Sequence, residues 1–207
     1  GKASVASFRY LIMASIGGCF YLLGVGFIYF SVGSINMADV FQLLPAVYDS
    51  PSVIGGAFLI ITGLCLKMAL FPFHTWLPDS DTYAPPVVAA FSAAVQIEVP
   101  AYVITRLLLN VFSQDFMVTL TPITDIIAWI SAAGIIIASI LAIAQNNFRR
   151  MLAYSSVAQV AYIGLGIGLA NPLGIVGGIF HIMAHSLMKG SLFLIAGGLH
   201  HHNGIWN

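Results

Sequence analysis

The sequence predicts an all-α, polytopic bundle of transmembrane helices, and three observations predict it. Hydrophobic residues make up 59% of the 207-residue chain and charged residues only 7%, whereas a soluble domain carries about 25% charge. The apolar residues gather into about six long stretches, each near the ~20 residues a helix needs to cross lipid. The stretches are too long and too evenly apolar for the alternating strands of a barrel, and open strands would leave backbone groups unpaired in lipid.

The first stretch runs from Phe8 to Val32 and the second from Val53 to Phe71. The third covers Pro86 to Phe112, the fourth Ile123 to Ala144, the fifth Met151 to Ala170 and the sixth Leu173 to Leu199. After the first, Asn36 or Ser34 is placed to cap a short helix along the surface. After the second, the aromatic residues around His74 and Trp76 suit a membrane interface, and Pro85-Pro86 opens the third span. Pro72 and Pro100 each withdraw a backbone donor, so broken helices are expected near both.

Charge placement sets the orientation. With six alternating spans, Lys2, Arg9, Arg149 and Arg150 share one side and Asp39, Asp49, Asp115 and Asp125 the other. The basic side is then cytoplasmic. Arg106 is expected to snorkel or to pair with Asp115. Zero net charge argues against nucleic acid as a partner. Cys19 and Cys65 lie in apolar runs and read as small buried hydrophobes. The chain starts at Gly1 without a signal peptide, and is expected to be an internal portion of a longer subunit.

Five ionisable residues inside the spans carry the expected chemistry, a proton or ion pathway. Lys67 sits in Gly63-Leu64-Cys65-Leu66-Lys67-Met68, where a mid-membrane charge costs ~2.5–3.5 kcal/mol. A lysine there exchanges its proton as its partner moves; the alternative is a side chain snorkelling towards Trp76. Glu98 lies midway along the third span and must be protonated or matched to a cation, as part of the pathway or of a structural pair. His181, His185 and Lys189 recur at i, i+4 and i+8, which places them on one helix face at ~6 Å per step. Histidine both accepts and donates protons near pH ~6.5, so the three read as a relay with Ser186 and water between them. The alternatives are interhelical hydrogen bonds and a zinc site; for zinc the ligand count is short, and Ile182 stands where the metalloprotease pattern needs Glu. His200, His201 and His202 read as a polar cap. No phosphate loop, dinucleotide fingerprint or cysteine cluster is present in the sequence, so no cofactor is expected and no redox chemistry within this chain.

Several of these residues lie in recognisable motifs. Phe71-Pro72-Phe73-His74-Thr75-Trp76-Leu77-Pro78-Asp79, Phe148-Arg149-Arg150-Met151-Leu152-Ala153-Tyr154-Ser155-Ser156 and His181 through Phe193 resemble the antiporter-like subunits of respiratory complex I, Mrp-type cation/proton antiporters and membrane-bound hydrogenases. Tyr83-Ala84-Pro85-Pro86 followed by Ala101-Tyr102-Val103-Ile104-Thr105-Arg106 is especially similar to the Mrp D-type subunit. The resemblance implies that Lys67 is the central lysine of a first half-channel. It implies that Lys189 is the lysine of the helix linking two half-channels, and that Glu98 stands where many members carry another lysine. Residues 1–145 would then belong to the first half-channel repeat and 146–207 to the second. The glutamate that pairs with the central lysine would precede Gly1, and the terminal channel residue would follow Asn207.

The function expected is translocation of protons, or of sodium against protons, in the cell inner (cytoplasmic) membrane. The expected partners are lipid, other membrane subunits and a redox arm or a second ion pathway. Two other readings stand beside it: a scaffold whose buried charges fix assembly, and a cation or inorganic-carbon uptake subunit in which Glu98 binds the cation.

Overall fold

The computed structural model describes residues 1–113 and 115–203, with side chains up to Leu199. The polar cap read at His200, His201 and His202 lies outside the described side chains. The described residues form helices joined by short turns, with no strand among them. In chain order the α-helices are α1 (Lys2–Val32), α2 (Met37–Leu43), α3 (Pro51–Lys67), α4 (Trp76–Tyr83), α5 (Pro86–Phe91), α6 (Glu98–Asn110), α7 (Ile123–Ile143), α8 (Phe148–Gly168) and α9 (Pro172–Asn203). Five helical stretches are long and apolar enough to cross a membrane, counting Pro86–Asn110 as one. The second expected span is shorter, the 17-residue α3. Bulky apolar side chains cover the outside of the bundle, Leu173 and Trp129 among them. Such a surface is at ease only in lipid or against other apolar protein.

The α1–α3 pair is set by glycine. A Cβ added to Gly24 would lie 2.6 Å from the carbonyl oxygen of Gly56, and one added to Gly63 would lie 2.6 Å from that of Gly17. The two backbones therefore touch along a seam eight residues long on each helix. Close backbone approach through small residues is how membrane helices associate when lipid supplies no hydrophobic drive.

The end of α3 shapes the neighbourhood of Lys67. Pro72 has no N–H to offer the carbonyl of Met68, and the helix stops at Lys67. Leu70 N–H donates to the carbonyl of Cys65 at 3.0 Å and Ala69 N–H to that of Leu66 at 3.3 Å, the two bonds of a Schellman cap. Ala69 occupies the left-handed position, at φ 56°, where glycine is usual. The Trp76 indole N–H also donates to the Leu66 carbonyl, at 3.2 Å, which ties the following turn back onto the helix end.

Beyond Pro85-Pro86 the third span forms as expected, and its irregularity lies just upstream of Pro100. A π-helical segment, Ser92–Gln96, separates α5 from α6. Pro100 sits in the first turn of α6, where it leaves the carbonyl of Gln96 without its helical donor. The extra residue of a π-turn rotates the downstream helix by about one position around the axis, and it is this turn that presents Glu98 to the interior.

The main core is shared by α3, α6, α7 and α8. A second, alanine-rich cluster joins Ala89, Ala90 and Ala93 to Leu152, Ala153, Phe193 and Ala196, where the third span meets α8 and α9. Asn36 caps α2, accepting from the Ala38 N–H at 3.0 Å, as its sequence position predicted. Asn147 caps α8, accepting from the Arg150 N–H at 3.1 Å. Arg9 and Arg150 both reach Asp79, at 2.7 and 3.5 Å, so the basic ends of α1 and α8 lie together. Arg106 donates to the Tyr102 hydroxyl at 3.3 Å, and the ion pairs among the described residues do not join it to Asp115.

Candidate proton-transfer site

Four of the five expected residues meet between the third span, α8 and α9. His181, His185 and Lys189 fall on one face of α9, and the two imidazoles stack with centroids 6.2 Å apart, one helical turn. His181 Nε2 lies 2.7 Å from Gln159 Oε1 on α8, and its ring meets Tyr162 edge-on at 6.0 Å. His185 Nδ1 bonds directly to Glu98 Oε1. Lys189 Nζ donates to the Leu152 carbonyl at 2.9 Å and to the Ser155 hydroxyl.

The row is dry where it is most charged. Glu98 is 3% exposed, Lys189 2% and His185 0%. Glu98 Oε2 and His185 Nε2 have no hydrogen-bond partner, which leaves each side chain one site free to receive a proton or a water. A glutamate and a histidine in contact form an acid–base pair. Such a pair can pass a proton along without leaving a lone charge in low dielectric.

One cavity opens at the His181 end of the row and a second lies by Asp81. One, of about 380 Å³, is lined by His181, Gln159, Tyr162 and the glycines Gly174, Gly177 and Gly178, at the turn joining α8 to α9. The other, of about 410 Å³, is lined by Tyr10, Ser80, Asp81, Ser92 and Gln96, near the basic end of α8.

Lys67 stands outside this set. Its stem packs over Gly17 and Gly18 near the middle of α1. Its side chain is nevertheless exposed on the flank of the bundle. As the last residue of α3 it lies at the negative end of that helix's dipole, a favourable place for a positive charge.

Asp81 and Arg149 were not singled out from the sequence. Asp81 is 0% exposed and shares the inner face of α4 with Leu77, one turn before it. That i, i+4 relation to a buried leucine was the signal available. Arg149 donates to the carbonyls of Asp81, at 2.9 Å, and Ala84, satisfying acceptors at the end of α4. Burial pushes the Asp81 carboxyl up to about 7, while Ser92, Arg149 and Lys189 favour its charged form. Among the described residues no three His, Cys, Asp or Glu side chains are placed to share a metal ion.

The family described as "NADH:quinone oxidoreductase/Mrp antiporter, TM" matches residues 1–205. The chain is 48% identical over 204 residues to NADH-quinone oxidoreductase subunit N of Desulforudis audaxviator, covering 99% of this chain and 40% of that protein. It is 31% identical to the D-type subunit of the Na(+)/H(+) antiporter of Bacillus subtilis, covering 93% of this chain and 38% of that one. The D-type likeness read from the motifs is therefore present, at lower identity than the likeness to subunit N. Among solved structures, the membrane-bound sulfane sulfur reductase, an archaeal respiratory membrane complex, superposes with TM-score 0.85 at 31% identity, over 97% of this chain and 40% of that one. The chain thus spans about two fifths of the length of the relatives it matches.

Proposed function

Because the chain belongs to the NADH:quinone oxidoreductase/Mrp antiporter transmembrane family, we propose that it carries the middle of a proton path in one subunit of a multi-subunit respiratory or antiporter complex of the cytoplasmic membrane. One observation carries the reading: the row Lys189, His185–Glu98, His181–Gln159 runs along α9 within a largely apolar bundle, half-buried at His181 and buried at His185, Glu98 and Lys189. Intramembrane ionisable residues are costly, and their usual use is transport.

In this mechanism the Glu98–His185 pair receives a proton on one free site and gives one up from the other. His181 does the same one turn away, and Lys189 loads the row from the basic side. Lys67 belongs to the same path in a different setting. Its ammonium faces outwards at membrane mid-depth, so the intact assembly must cover it with protein, and an acid in that cover would set when the lysine holds its proton. A redox arm or a second ion pathway would drive the cycle by moving that pairing. With the half-channels divided at 145/146, Lys67 and Glu98 belong to one and His181, His185 and Lys189 to the other.

The test is proton pumping by the intact complex in sealed vesicles. Lys67→Ala and Lys189→Ala should each abolish pumping while the complex still assembles; normal pumping in both sinks the reading. Loss of assembly in both would instead favour the scaffold role. The free Oε2 of Glu98 also admits a cation site. Sodium-dependent activity lost in Glu98→Gln and kept in Lys67→Ala would support that.

A further inference from the structure

We propose that Asp81 is the acid through which protons pass between the basic-side cavity and Lys189. The proposal rests on the proton-transfer reading above and adds its point of entry. Asp81 is fully buried and its carboxylate oxygens make no close hydrogen bond, though the Ser92 hydroxyl acts on them from the π-turn, and the residue lines the cavity of about 410 Å³. A water needs only ~10–15 Å³ of such space, so this cavity has room for a chain of them. The carboxylate oxygens are themselves closed off from that space, so water reaches them only when the Asp81 side chain or the cavity lining moves. The rim residues Ala3 and Ser7 are exposed and lie on α1 within two turns of Arg9, on the basic side.

Lys189 is near enough for its charge to act on Asp81, and its Nζ is held by Leu152 and Ser155. The charged and titratable groups around Asp81 come from every neighbouring element: Tyr10 from α1, Arg149 from α8, Lys189 from α9, and Asp79 and Tyr83 from its own helix. The Ser92 hydroxyl faces it from the π-turn. Arg149 is anchored on the carbonyls of Asp81 and Ala84, which fixes the backbone that carries the acid.

The step balances without a co-reactant. Protonated Asp81 breaks its O–H bond and gives the proton to a bridging water, which passes one of its own to the neutral Lys189 amine, so that an N–H bond forms and a carboxylate and an ammonium remain. Water in the cavity then returns a proton to the carboxylate. A carboxyl titrating near 7 is populated in both forms at working pH, as an efficient general acid must be.

The experiment measures proton uptake by vesicles holding the intact complex, across a pH series, for the wild type, Asp81→Asn, Asp81→Glu and Lys189→Ala. We expect Asp81→Asn to lose pumping by ~10²-fold, the lower range for removing a positioned acid, with normal amounts of assembled complex. Asp81→Glu should retain pumping with a displaced pH midpoint, which a purely structural carboxylate would not produce. Wild-type rate and pH profile in Asp81→Asn, with Lys189→Ala inactive, overturns this proposal and leaves the row intact. Pumping that falls only in step with lost assembly in both Asp81 variants also overturns it. Normal pumping in Lys189→Ala removes the reading on which it rests.

Discussion

Replacing Glu98 separates the two things its contact with His185 can be, a proton-holding pair or a packing hydrogen bond. Glu98→Gln keeps the volume and can still bond His185 Nδ1, but an amide neither gains nor loses a proton at neutral pH. Its stability cost should stay within about 1 kcal/mol, the net worth of an ordinary hydrogen bond. Glu98→Ala is different. His185 is 0% exposed and its Nε2 already has no partner, so truncation leaves a buried imidazole with nothing to bond, at about 1–3 kcal/mol. The one lost methylene adds about 0.8 kcal/mol. The sum, about 2–4 kcal/mol, corresponds to about 4–16 °C in Tm, at about 2–4 °C per kcal/mol for a chain of this size. Thermal melting of the purified complex reads the stability, and pumping in vesicles reads the function. The two variants should differ widely in Tm yet both lose pumping by about 10²-fold. Glu98→Gln pumping at the wild-type rate in fully assembled complex would refute the reasoning, because no proton could then be passing through that carboxylate.

Three further outcomes follow from other parts of the chain. Gly24→Ala places a Cβ 2.6 Å from the Gly56 carbonyl oxygen and 2.8 Å from the Ile60 nitrogen; neither backbone atom can yield, so α1 and α3 must part, at about 1–3 kcal/mol. Gly26→Ala, with nothing within 4 Å, should be neutral or stabilising in the same melting assay. Arg149→Ala abandons the carbonyls of Asp81 and Ala84, and at about 1.5–3 kcal/mol for each bond to a charged group it should lower Tm more than any exposed arginine; Arg149→Lys should not restore it, lacking the guanidinium fork. The Asp81 carboxyl is raised from 3.8 to about 7, so between those values the folded chain binds a proton that the unfolded chain has released. Stability should therefore fall as pH rises through that window, by up to about 4 kcal/mol, and level off above it. Melting against pH should show this slope in the wild type and lose it in Asp81→Asn.

How much of this was legible in the sequence depended on which distances are local. Spacing along one helix is fixed by geometry, so the line His181, His185, Lys189 could be read directly from i, i+4, i+8. The caps at Asn36 and Pro86 are local as well. The break near Pro72 followed from a missing donor. The break expected near Pro100 is the π-turn that ends at Gln96, whose carbonyl that proline leaves without its helical donor; only the form of the break, an extra residue in the turn, is unmarked in Ser92–Gln96. Asp81 was hidden for a related reason. Among Asp79, Ser80 and Thr82 it has the composition of a solvated loop, and only the packing of α4 against α1 and α8 makes it internal. The pairings Glu98–His185 and Lys189–Ser155 join residues 87 and 34 positions apart, and periodicity carries no information about such contacts.

The two lysines show why this row is better understood as part of an assembly than as a channel in itself. Lys189 is 2% exposed and its Nζ is bonded to α8, so the bundle alone solves the problem of holding its charge. Lys67 is at comparable risk in the membrane, but the bundle does not enclose it. Facing lipid at mid-depth it would carry the ~2.5–3.5 kcal/mol cost of an uncovered cation, only partly offset by the ~0.3–1 kcal/mol available at the end of the α3 dipole. The imbalance is removed most simply by protein packed over Gly17, Gly18 and Lys67. On that argument the flank of α1 and α3 is a covered surface in the working protein. A charge whose cover belongs to another segment can be switched by moving that segment, whereas Lys189, locked onto Leu152 and Ser155, can respond only to protons that reach it.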